Sequence, residues 1–310
     1  MRQFSAEDVR SALSWPTLIA AIRDGITGDI TVPLRQRHVI PVPGQADAAL
    51  LTMPAWRAGH LIGVKLVTFF PDAERRINAA YVLFDGRSGE AIALVDGEEL
   101  TAKRTAASSV LAALHLARRD AARLVIIGTG RLSEEFASAY AANFPITDIA
   151  ILGRSPARTA ALVEELKGQA LPARVAREED VEDADIVVCV TSATSPVLAG
   201  RLLAPGAHVD LVGGFQPDMR EADDEVFRRA SFVFADFSKA ARGEAGDLIG
   251  PFASGALTEA RFGGELADLI LGRHPGRTGD DQITVFKSVG HASEDLAAAS
   301  ALLAADAISD

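Results

Sequence analysis

The chain has 310 residues, of which 48% are hydrophobic, so it is long enough for two ordinary domains with sizeable cores. Its formal net charge of -11 and its pI near 5.1 argue against nucleic acid or an anionic membrane as the main partner, because both are negatively charged. No apolar run approaches the ~20 residues of a membrane-spanning helix, and the N-terminal segment lacks the apolar core of a signal peptide.

The cysteine and histidine content excludes two further kinds of site. The only cysteine, Cys189, lies within an apolar run, which predicts a buried, inert thiol, no internal disulfide and a cytoplasmic location. The six histidines are scattered, with no pair at metal-ligand spacing. We therefore predict no metal site.

The first third of the chain predicts helices followed by a sheet. Residues 5–24 predict one or two short helices, opened by a capping Ser5 and broken at Pro16. Short β-like runs follow at residues 50–53, 61–67, 80–85 and 91–96, and a hairpin-like turn at residues 85–90 joins the last two. These runs predict an antiparallel sheet or a partly open barrel.

The rest of the chain alternates between strand and helix patterns. An alanine- and leucine-rich helix over residues 101–119 leads into a strand, a glycine turn, a helix and a second strand at residues 123–154. Further strand-like runs recur at residues 174–175, 185–190, 208–212, 232–235 and 283–286. The alternation predicts an α/β fold with a Rossmann-type doubly wound parallel sheet. A last amphipathic helix over residues 294–308 either closes this domain or returns to the first one.

The glycine turn Gly128-Thr129-Gly130 is the strongest single indication of a dinucleotide site. Glycines at both positions allow backbone angles that a side chain forbids, so the main chain can approach a pyrophosphate at the positive end of the following helix. Ser133 replaces the third glycine of the GxGxxG fingerprint, and serine is still small enough for close packing. The alternative is a plain strand-to-helix turn.

The end of the second strand of this unit indicates which dinucleotide is bound. An acidic residue there is typical of NAD enzymes, but the chain instead continues with Gly153, Arg154 and Ser155, and with Arg158 one turn later. A cation and a hydroxyl suit a 2′-phosphate, so NADPH is favoured, with NADH possible. The alternative is that Arg154 merely faces solvent.

Three cations of the first domain are candidates for binding an anionic substrate. Lys65 lies inside an apolar strand, where a buried amine needs a partner such as a carboxylate, unless it points outward to solvent. Arg104 lies near the start of the alanine-rich helix, where a guanidinium can bind a carboxylate in bidentate fashion; the alternative is an ordinary surface arginine. Arg35 sits in a proline-containing loop and carries little information alone.

Several distinctive segments are spread across nearly the whole chain, namely KLVT (65–68) with Pro71, LVDG (94–97), LTAKRTAA (100–107), the GTG turn, PGAHVDLVG (205–213), GDL (246–248) and ITVFKSVG (283–290). In these segments and in their order, the chain resembles the ornithine cyclodeaminase and μ-crystallin family. The resemblance implies a homodimer in which residues 1–118 and 291–310 form the dimerisation and substrate-binding domain. Residues 119–290 would form the inserted Rossmann domain.

The resemblance also implies roles for individual residues. Lys65 and Arg104, together with Arg35, are expected to hold the carboxylate of a small substrate, and Lys65 is a candidate proton relay. The residues expected to bind the cofactor are Gly128, Thr129, Gly130, Arg131, Leu132, Arg154, Ser155, Arg158, Thr191, Val212 and Gly213.

One departure from the family narrows the expected substrate. Ornithine cyclodeaminases carry an aspartate after the Val-Gly-Gly motif, whereas this chain has Phe215, which can neither bind an ammonium through a carboxylate nor transfer a proton. Asp218 is a possible substitute, although its place after Pro217 favours a structural role. The pattern is similar to the branch that reduces cyclic imino acids, with Phe215 against the substrate ring.

These observations predict NADPH-dependent reduction of Δ1-pyrroline-2-carboxylate to L-proline, with the six-membered homologue giving L-pipecolate. One alternative is an ornithine cyclodeaminase with bound NAD+, and a second is a dehydrogenase or reductive aminase acting on alanine or an N-alkyl amino acid. A third is a μ-crystallin-like protein that binds NADPH and a small acid without turnover. One scaffold serves all of these chemistries, so the fold cannot choose among them.

Overall fold

The computed structural model describes residues 1–309, with side chains as far as residue 307. It divides into two compact units. The first comprises Met1–Ala107 and the segment that begins at His291, and the second comprises Ser108–Gly290. Among the described residues, no helix combines the length and the apolar character needed to cross a bilayer.

The first unit opens with a short strand and two helices, β1 (Arg2–Phe4), α1 (Ala6–Ala12) and α2 (Trp15–Thr27). Ser5 caps α1 through a capping box with Asp8, as the sequence predicts. The break between the helices falls at Leu13 and Ser14, and Pro16 lies in the first turn of α2 rather than at the break. A proline fits that position because the first amides of a helix have no intrahelical acceptor.

The first unit contains an open sheet of six strands. After β1 come β2 (Gln36–Ile40), β3 (Ala48–Arg57), β4 (Leu61–Phe69), β5 (Ile77–Asp85) and β6 (Ala91–Asp96), in the spatial order β1-β6-β5-β4-β3-β2. All neighbours are antiparallel except β1 and β6, which are parallel. The predicted antiparallel sheet is therefore confirmed in its main part, and the sheet does not close into a barrel.

The chain leaves this sheet through α3 (Gly97–Leu116), whose residues include the boundary between the two units. The carboxylate of Asp96, the last residue of β6, accepts hydrogen bonds from the N–H groups of Glu98 and Glu99 at 3.1 and 2.8 Å. This cap satisfies amides that have no partner within the helix, so the strand passes directly into α3.

The second unit is built on eight parallel strands. In chain order its elements are β7 (Arg123–Ile127), α4 (Arg131–Asn143), β8 (Asp148–Leu152), α5 (Pro156–Gly168), β9 (Ala173–Val175), β10 (Ile186–Cys189), β11 (His208–Leu211), α6 (Asp224–Arg229), β12 (Phe232–Ala235), α7 (Ser238–Glu244), α8 (Gly246–Ser254), β13 (Phe262–Glu265), α9 (Leu266–Ile270) and β14 (Thr284–Lys287). The spatial order is β13-β12-β14-β11-β10-β7-β8-β9. The predicted doubly wound parallel sheet is confirmed.

The strand order reverses next to β7, which pairs with β8 on one side and with β10 on the other. Such a switch point opens a crevice at the carboxyl ends of the strands, where doubly wound sheets bind ligands. The strands β10 and β11 are buried throughout, as expected for strands covered on both faces, and Cys189 is buried as predicted.

The last helix, α10 (Ala292–Ser309), belongs to the first unit, which settles the choice that the sequence left open. It packs against α2 and against the sheet at β3 and β4. Acidic residues Glu294 and Asp295 occupy its first turn, where carboxylates are favoured by the helix dipole.

Candidate active site

The predicted cofactor residues of the second unit lie in loops at one edge of its sheet. Because β7, β8, β10 and β11 are parallel neighbours, the loops that follow them leave from the same edge. The residues that these loops and the starts of α4 and α5 carry are Gly128, Thr129, Gly130, Arg131, Leu132, Arg154, Ser155, Arg158, Thr191, Val212 and Gly213.

The two glycines of the turn meet different requirements. Gly128 has a φ of +138°, and a Cβ there would lie 2.6 Å from the carbonyl oxygen of Val190, so only glycine fits. Gly130 has a φ of -85°, which any residue adopts, so the prediction of a special backbone angle is wrong at this position. Apart from the chain neighbours of Gly130, no atom of the described residues lies within 4 Å of a Cβ built there, and that open space allows a ligand to approach the main chain.

The helix that follows the turn begins without a side-chain cap. Gly130 is the N-cap residue of α4 and, because it is a glycine, it supplies no side-chain cap. A 13-residue helix with an open N-terminus is suited to binding an anion. Ser133, in the place of the third glycine, is fully buried, in agreement with a packing role. Arg131 pairs with Glu134 and Glu135, each at 2.9 Å.

The start of α5 presents two exposed arginines. The side chain of Ser155 caps this helix by accepting from the N–H of Arg158 at 3.5 Å. Arg154 and Arg158 are both exposed, and within residues 1–309 neither guanidinium forms an ion pair. The exposure leaves both charges accessible to an anionic group of a bound molecule.

Glu221 connects the loops that follow β10 and β11. Its Oε1 accepts from the N–H of Thr191 at 2.6 Å and from the hydroxyl of Thr191 at 2.9 Å, and its Oε2 accepts from the N–H of Gly213 at 2.7 Å. A Cβ on Gly213 would lie 1.7 Å from the carbonyl oxygen of Thr191, so the two loops touch through their main chains. The sequence did not point to Glu221.

Two further buried carboxylates support this edge. Asp247 accepts from the N–H of Glu221 at 2.8 Å through Oδ1 and from Nζ of Lys287 at 3.2 Å through Oδ2. Asp210, within β11, accepts from the hydroxyls of Ser109 at 3.1 Å and Tyr140 at 2.9 Å. Asp210, Asp247 and Lys287 lie in the segments HVDLVG, GDL and VFKS, which match the family but whose chemistry the sequence alone did not assign.

Burial raises the pKa of two of these carboxyls. The pKa of Asp210 rises to about 7 because burial disfavours the charged form, although the hydroxyls of Ser109 and Tyr140 oppose the shift. Burial also raises the pKa of Glu221 to about 7, against the attraction of Lys287. The edge of the sheet therefore contains two carboxyls that titrate near neutral pH.

In the first unit, Lys65 and Arg104 both contact the carboxylate of Asp295. Both side chains are buried, at 4% exposure each, so the surface alternatives for these two residues are wrong. Nζ of Lys65 lies 3.2 Å from Oδ1 of Asp295, and Nε of Arg104 donates to the same oxygen at 3.0 Å. Nη1 of Arg104 also donates to Oε2 of Glu294 at 2.7 Å.

Sequence reasoning missed Asp295 and Glu294. The available signal was an adjacent acidic pair at the start of an otherwise alanine-rich helix. The neighbouring sequence does not indicate which cations this pair contacts. Burial lowers the pKa of Lys65 to about 8, although Asp295 attracts the charged amine and opposes the shift. Burial raises the pKa of Asp295, but Arg104 and Lys65 outweigh it, and the pKa falls below its usual value.

The remaining predicted site residues are less constrained by their surroundings. Arg35 is half-buried in the segment between α2 and β2. Phe215 is 36% exposed and follows Gly214, with its N–H donating to the carbonyl of Gly213 at 3.1 Å. Asp218 is exposed. No group of three or more His, Cys, Asp or Glu side chains in the described part of the chain is arranged to hold a metal ion.

The second unit fits a dinucleotide. A positive-φ glycine after the first strand, open space at Gly130 and the uncapped N-terminus of α4 are the features that a pyrophosphate requires. The fold and this edge define a dinucleotide-binding α/β protein. The chain belongs to the ornithine cyclodeaminase/mu-crystallin family, whose profile matches residues 6–305.

Similar proteins of known sequence and structure include Δ1-pyrroline-2-carboxylate reductases. The enzyme of Paracoccus denitrificans is 37% identical over 94% of this chain and 93% of its own length, and that of Colwellia psychrerythraea is 32% identical over 96% and 97%. The structure of the Thermococcus litoralis enzyme in complex with NADH and L-proline is similar with a TM-score of 0.90. It is 28% identical and covers 99% of this chain and 98% of that one.

Proposed function

We propose that this protein reduces the C=N bond of Δ1-pyrroline-2-carboxylate to give L-proline, using a reduced nicotinamide cofactor and preferring NADPH. The reaction class is NAD(P)H-dependent reduction of an imino acid. The observation that carries the proposal is the buried pair of cations, Lys65 and Arg104, in a chain whose relatives of the same length are named for this reaction. The six-membered homologue, which would give L-pipecolate, is a second expected substrate.

The substrate carboxylate is assigned to the first unit. Lys65 and Arg104 meet at one oxygen of Asp295, so both positive groups are held in place before any ligand arrives. Preorganised charge lowers the cost of ordering a site around a small anion. Arg35, in the loop before β2, is proposed as a further contact to the carboxylate.

The cofactor is assigned to the carboxyl edge of the second unit. The amides at the start of α4 would hold the pyrophosphate, and Arg154, with Ser155 and Arg158, would hold a 2′-phosphate. When bound, the reduced nicotinamide supplies the hydride. Glu221 holds the loops of Thr191 and Gly213 in place, and Phe215 offers an apolar ring to the substrate instead of the carboxylate that an open-chain amine would need.

A homodimer and a cytoplasmic location complete the proposal. On β4 and β5 the side chains that alternate with Lys65 and Tyr81 are apolar and only half-buried, among them Ile62, Val64, Leu66, Val82 and Phe84. An apolar sheet face of this kind is suited to a second copy of the chain.

Turnover of the cyclic imine tests the proposal directly. Purified protein supplied with NADPH and Δ1-pyrroline-2-carboxylate should lose absorbance of the reduced cofactor and form L-proline. No oxidation above background with either ring size would refute the reaction, as would ammonia release from ornithine without added cofactor. Tight ligand binding without turnover would instead favour a binding protein.

Two variants test the carboxylate site. Lys65→Ala and Arg104→Ala should each lose most of kcat/KM, by about a hundredfold, since a charge-assisted hydrogen bond contributes about 1.5–3 kcal/mol. The exposed Lys167→Ala and Arg177→Ala are matched controls and should keep wild-type kinetics. Circular dichroism must show that the variants are folded, and wild-type kinetics in both site variants would place the carboxylate elsewhere.

A further inference from the structure

A single oxygen atom holds both cations of the first unit. Oδ1 of Asp295 lies 3.2 Å from Nζ of Lys65 and 3.0 Å from Nε of Arg104, and the three side chains are at most 5% exposed. The three residues come from β4, α3 and α10, so Asp295 is where three elements of the unit meet. Moving this oxygen would move both positive groups.

The charges of the cluster balance. Lys65 and Arg104 supply two positive charges, and Asp295 and Glu294 supply two negative ones, with both carboxylates completely buried. A buried charge that loses its partner is strongly destabilised, so each member depends on the others. A bound substrate carboxylate would add a third anion, which the cluster can accept only if both cations stay charged.

We propose that Asp295 is a positioning residue for the substrate carboxylate, holding Lys65 and Arg104 side by side and keeping Lys65 protonated. The inference rests on the proposed function, because it takes these cations as the substrate site. It adds a residue on α10 to a site that the sequence placed on β4, α3 and the loop before β2.

The groups that face Lys65 come from three neighbouring elements. Arg104 on α3 disfavours its charge, whereas Asp295 and, more weakly, Glu294 on α10 favour it. Tyr81 pairs with Lys65 across β4 and β5, and burial, reinforced by Asp295, raises the pKa of its phenol, so the phenol stays neutral. Burial lowers the pKa of Lys65, and Asp295 is therefore the group that raises this pKa most.

The second carboxylate oxygen of Asp295, Oδ2, accepts no hydrogen bond from the described residues. Within the described residues, neither Oδ2 of Asp295 nor the hydroxyl of Tyr81 has a hydrogen-bond partner, and both atoms are buried. Burial favours the protonated form of this carboxyl, but the two cations outweigh burial and lower the pKa of Asp295. The charge of Asp295 thus depends on Lys65 and Arg104, and the charge of Lys65 depends in turn on Asp295.

Direct titration of Lys65 tests the inference without relying on activity. The chain has five lysines, so a protein labelled with ¹³C at lysine Cε gives a sparse NMR spectrum in which Lys65 is assigned by its absence in Lys65→Arg. The Lys65 signal should titrate near pH 8 in the wild type and at least one pH unit lower in Asp295→Asn. Glu294→Gln, which changes the neighbouring carboxylate, should cause a smaller shift. An unchanged titration in Asp295→Asn would overturn the inference.

Kinetics supply the second readout. In Asp295→Asn the alkaline limb of kcat/KM for the cyclic imine should move to lower pH together with the NMR titration, whereas a purely structural role would lower activity equally at every pH. An inactive wild type would refute the proposed function, and the NMR titration would still decide whether Asp295 keeps Lys65 protonated.

If Asp295→Asn does not fold, Asp295→Glu tests the positioning role of Asp295 instead. It keeps the charge but displaces the oxygen by one methylene, so the alkaline limb should stay within about 0.3 pH units while KM for the imine rises at least fivefold. A wild-type KM, or a displaced limb, would overturn the inference.

Discussion

Nζ of Lys287 lies 3.2 Å from Oδ2 of Asp247, and neither side chain has any solvent exposure. Asp247 also accepts from the amides of Glu221 and Ala222, at 2.8 and 3.2 Å, so the pair ties the end of β14 to the segment that carries Glu221. Glu221 in turn holds the loops of Thr191 and Gly213. The geometry of the proposed cofactor edge therefore depends on the buried ion pair between Lys287 and Asp247.

Removing the amine of Lys287 should destabilise the protein substantially. Lys287→Met keeps the length of the side chain but leaves the carboxylate of Asp247 buried without its cation, which costs about 3–5 kcal/mol. Urea unfolding measures the loss in the free energy of unfolding. Lys167→Met removes an exposed partner of Glu164 and should change it by less than about 0.5 kcal/mol. Equal effects of the two substitutions would contradict the importance of the buried pair.

The buried carboxyl of Asp210 should make the protein less stable as the pH rises from about 5 to about 7. Burial raises the pKa of Asp210 from 3.8 to about 7, so in this range the folded state holds a proton that the unfolded chain has released. The free energy of unfolding should therefore fall with rising pH, by up to ~1.4 kcal/mol per pH unit from this group, and level off above pH 7.

Asp210→Asn tests the sign of this dependence. An amide resembles the protonated carboxyl and can still bond to Ser109 and Tyr140, so the variant should fold and show a smaller loss of stability between pH 5 and pH 7. Part of the slope should remain, because burial also raises the pKa of Glu221 to about 7. Asp218→Asn, at an exposed position, should retain the wild-type slope. The prediction fails if both variants behave alike.

The preference for NADPH should reside largely in Arg154. Its exposed guanidinium, at the end of β8, is the proposed partner of the 2′-phosphate, and a charge-assisted hydrogen bond contributes about 1.5–3 kcal/mol. Arg154→Ala should lower kcat/KM for NADPH by about tenfold to a hundredfold and leave that for NADH within about threefold. Arg177→Ala, an exposed arginine of the same unit, is the control. Equal losses with both cofactors would show that Arg154 does not bind the 2′-phosphate.

Imine reduction should require an apolar side chain at the position of Phe215. Phe215→Leu keeps an apolar surface and should retain activity within about fivefold, whereas Phe215→Asp introduces a charge whose desolvation is costly and should lose at least tenfold in kcat/KM. Initial rates with the five-membered imine measure both effects. Full activity in Phe215→Asp would remove the main reason for preferring a cyclic imino acid over an open-chain diamine.

The sequence was sufficient for the elements with strong local patterns. Short, largely apolar runs bounded by turns predict β10, β11, β12 and β14, as expected for strands covered on both faces, although β11 and β14 also contain Asp210 and Lys287. The strands β1, β2 and β13 were not predicted as separate runs. The β1 and β13 segments are only three and four residues long, β13 contains two glycines, and β2 is largely exposed at an edge.

In the ion cluster of the first unit, the sequence pointed to the cations but not to their acidic partners. A lysine within an apolar strand and an arginine in an alanine-rich helix are conspicuous, but their partner Asp295 lies 230 residues from Lys65 along the chain. No local pattern encodes such a pairing, since it arises only when α10 packs on the sheet. The same holds for Asp247 and Lys287, whose segments match the family, and for Glu221, which lies outside those segments, because their contacts come from separate elements.

Val64→Asp should prevent the proposed dimer. Val64 alternates with the buried Lys65 on β4 and is paired with Val82 on β5, so its half-buried side chain belongs to the apolar sheet face opposite the ion cluster. A carboxylate there would be desolvated in a dimer but hydrated in a monomer. Light scattering after size exclusion should give twice 32.6 kDa for the wild type and 32.6 kDa for the variant. Val175→Asp changes a 54% exposed valine of the other unit and should remain dimeric, whereas a dimeric Val64→Asp would show that this face is not the interface.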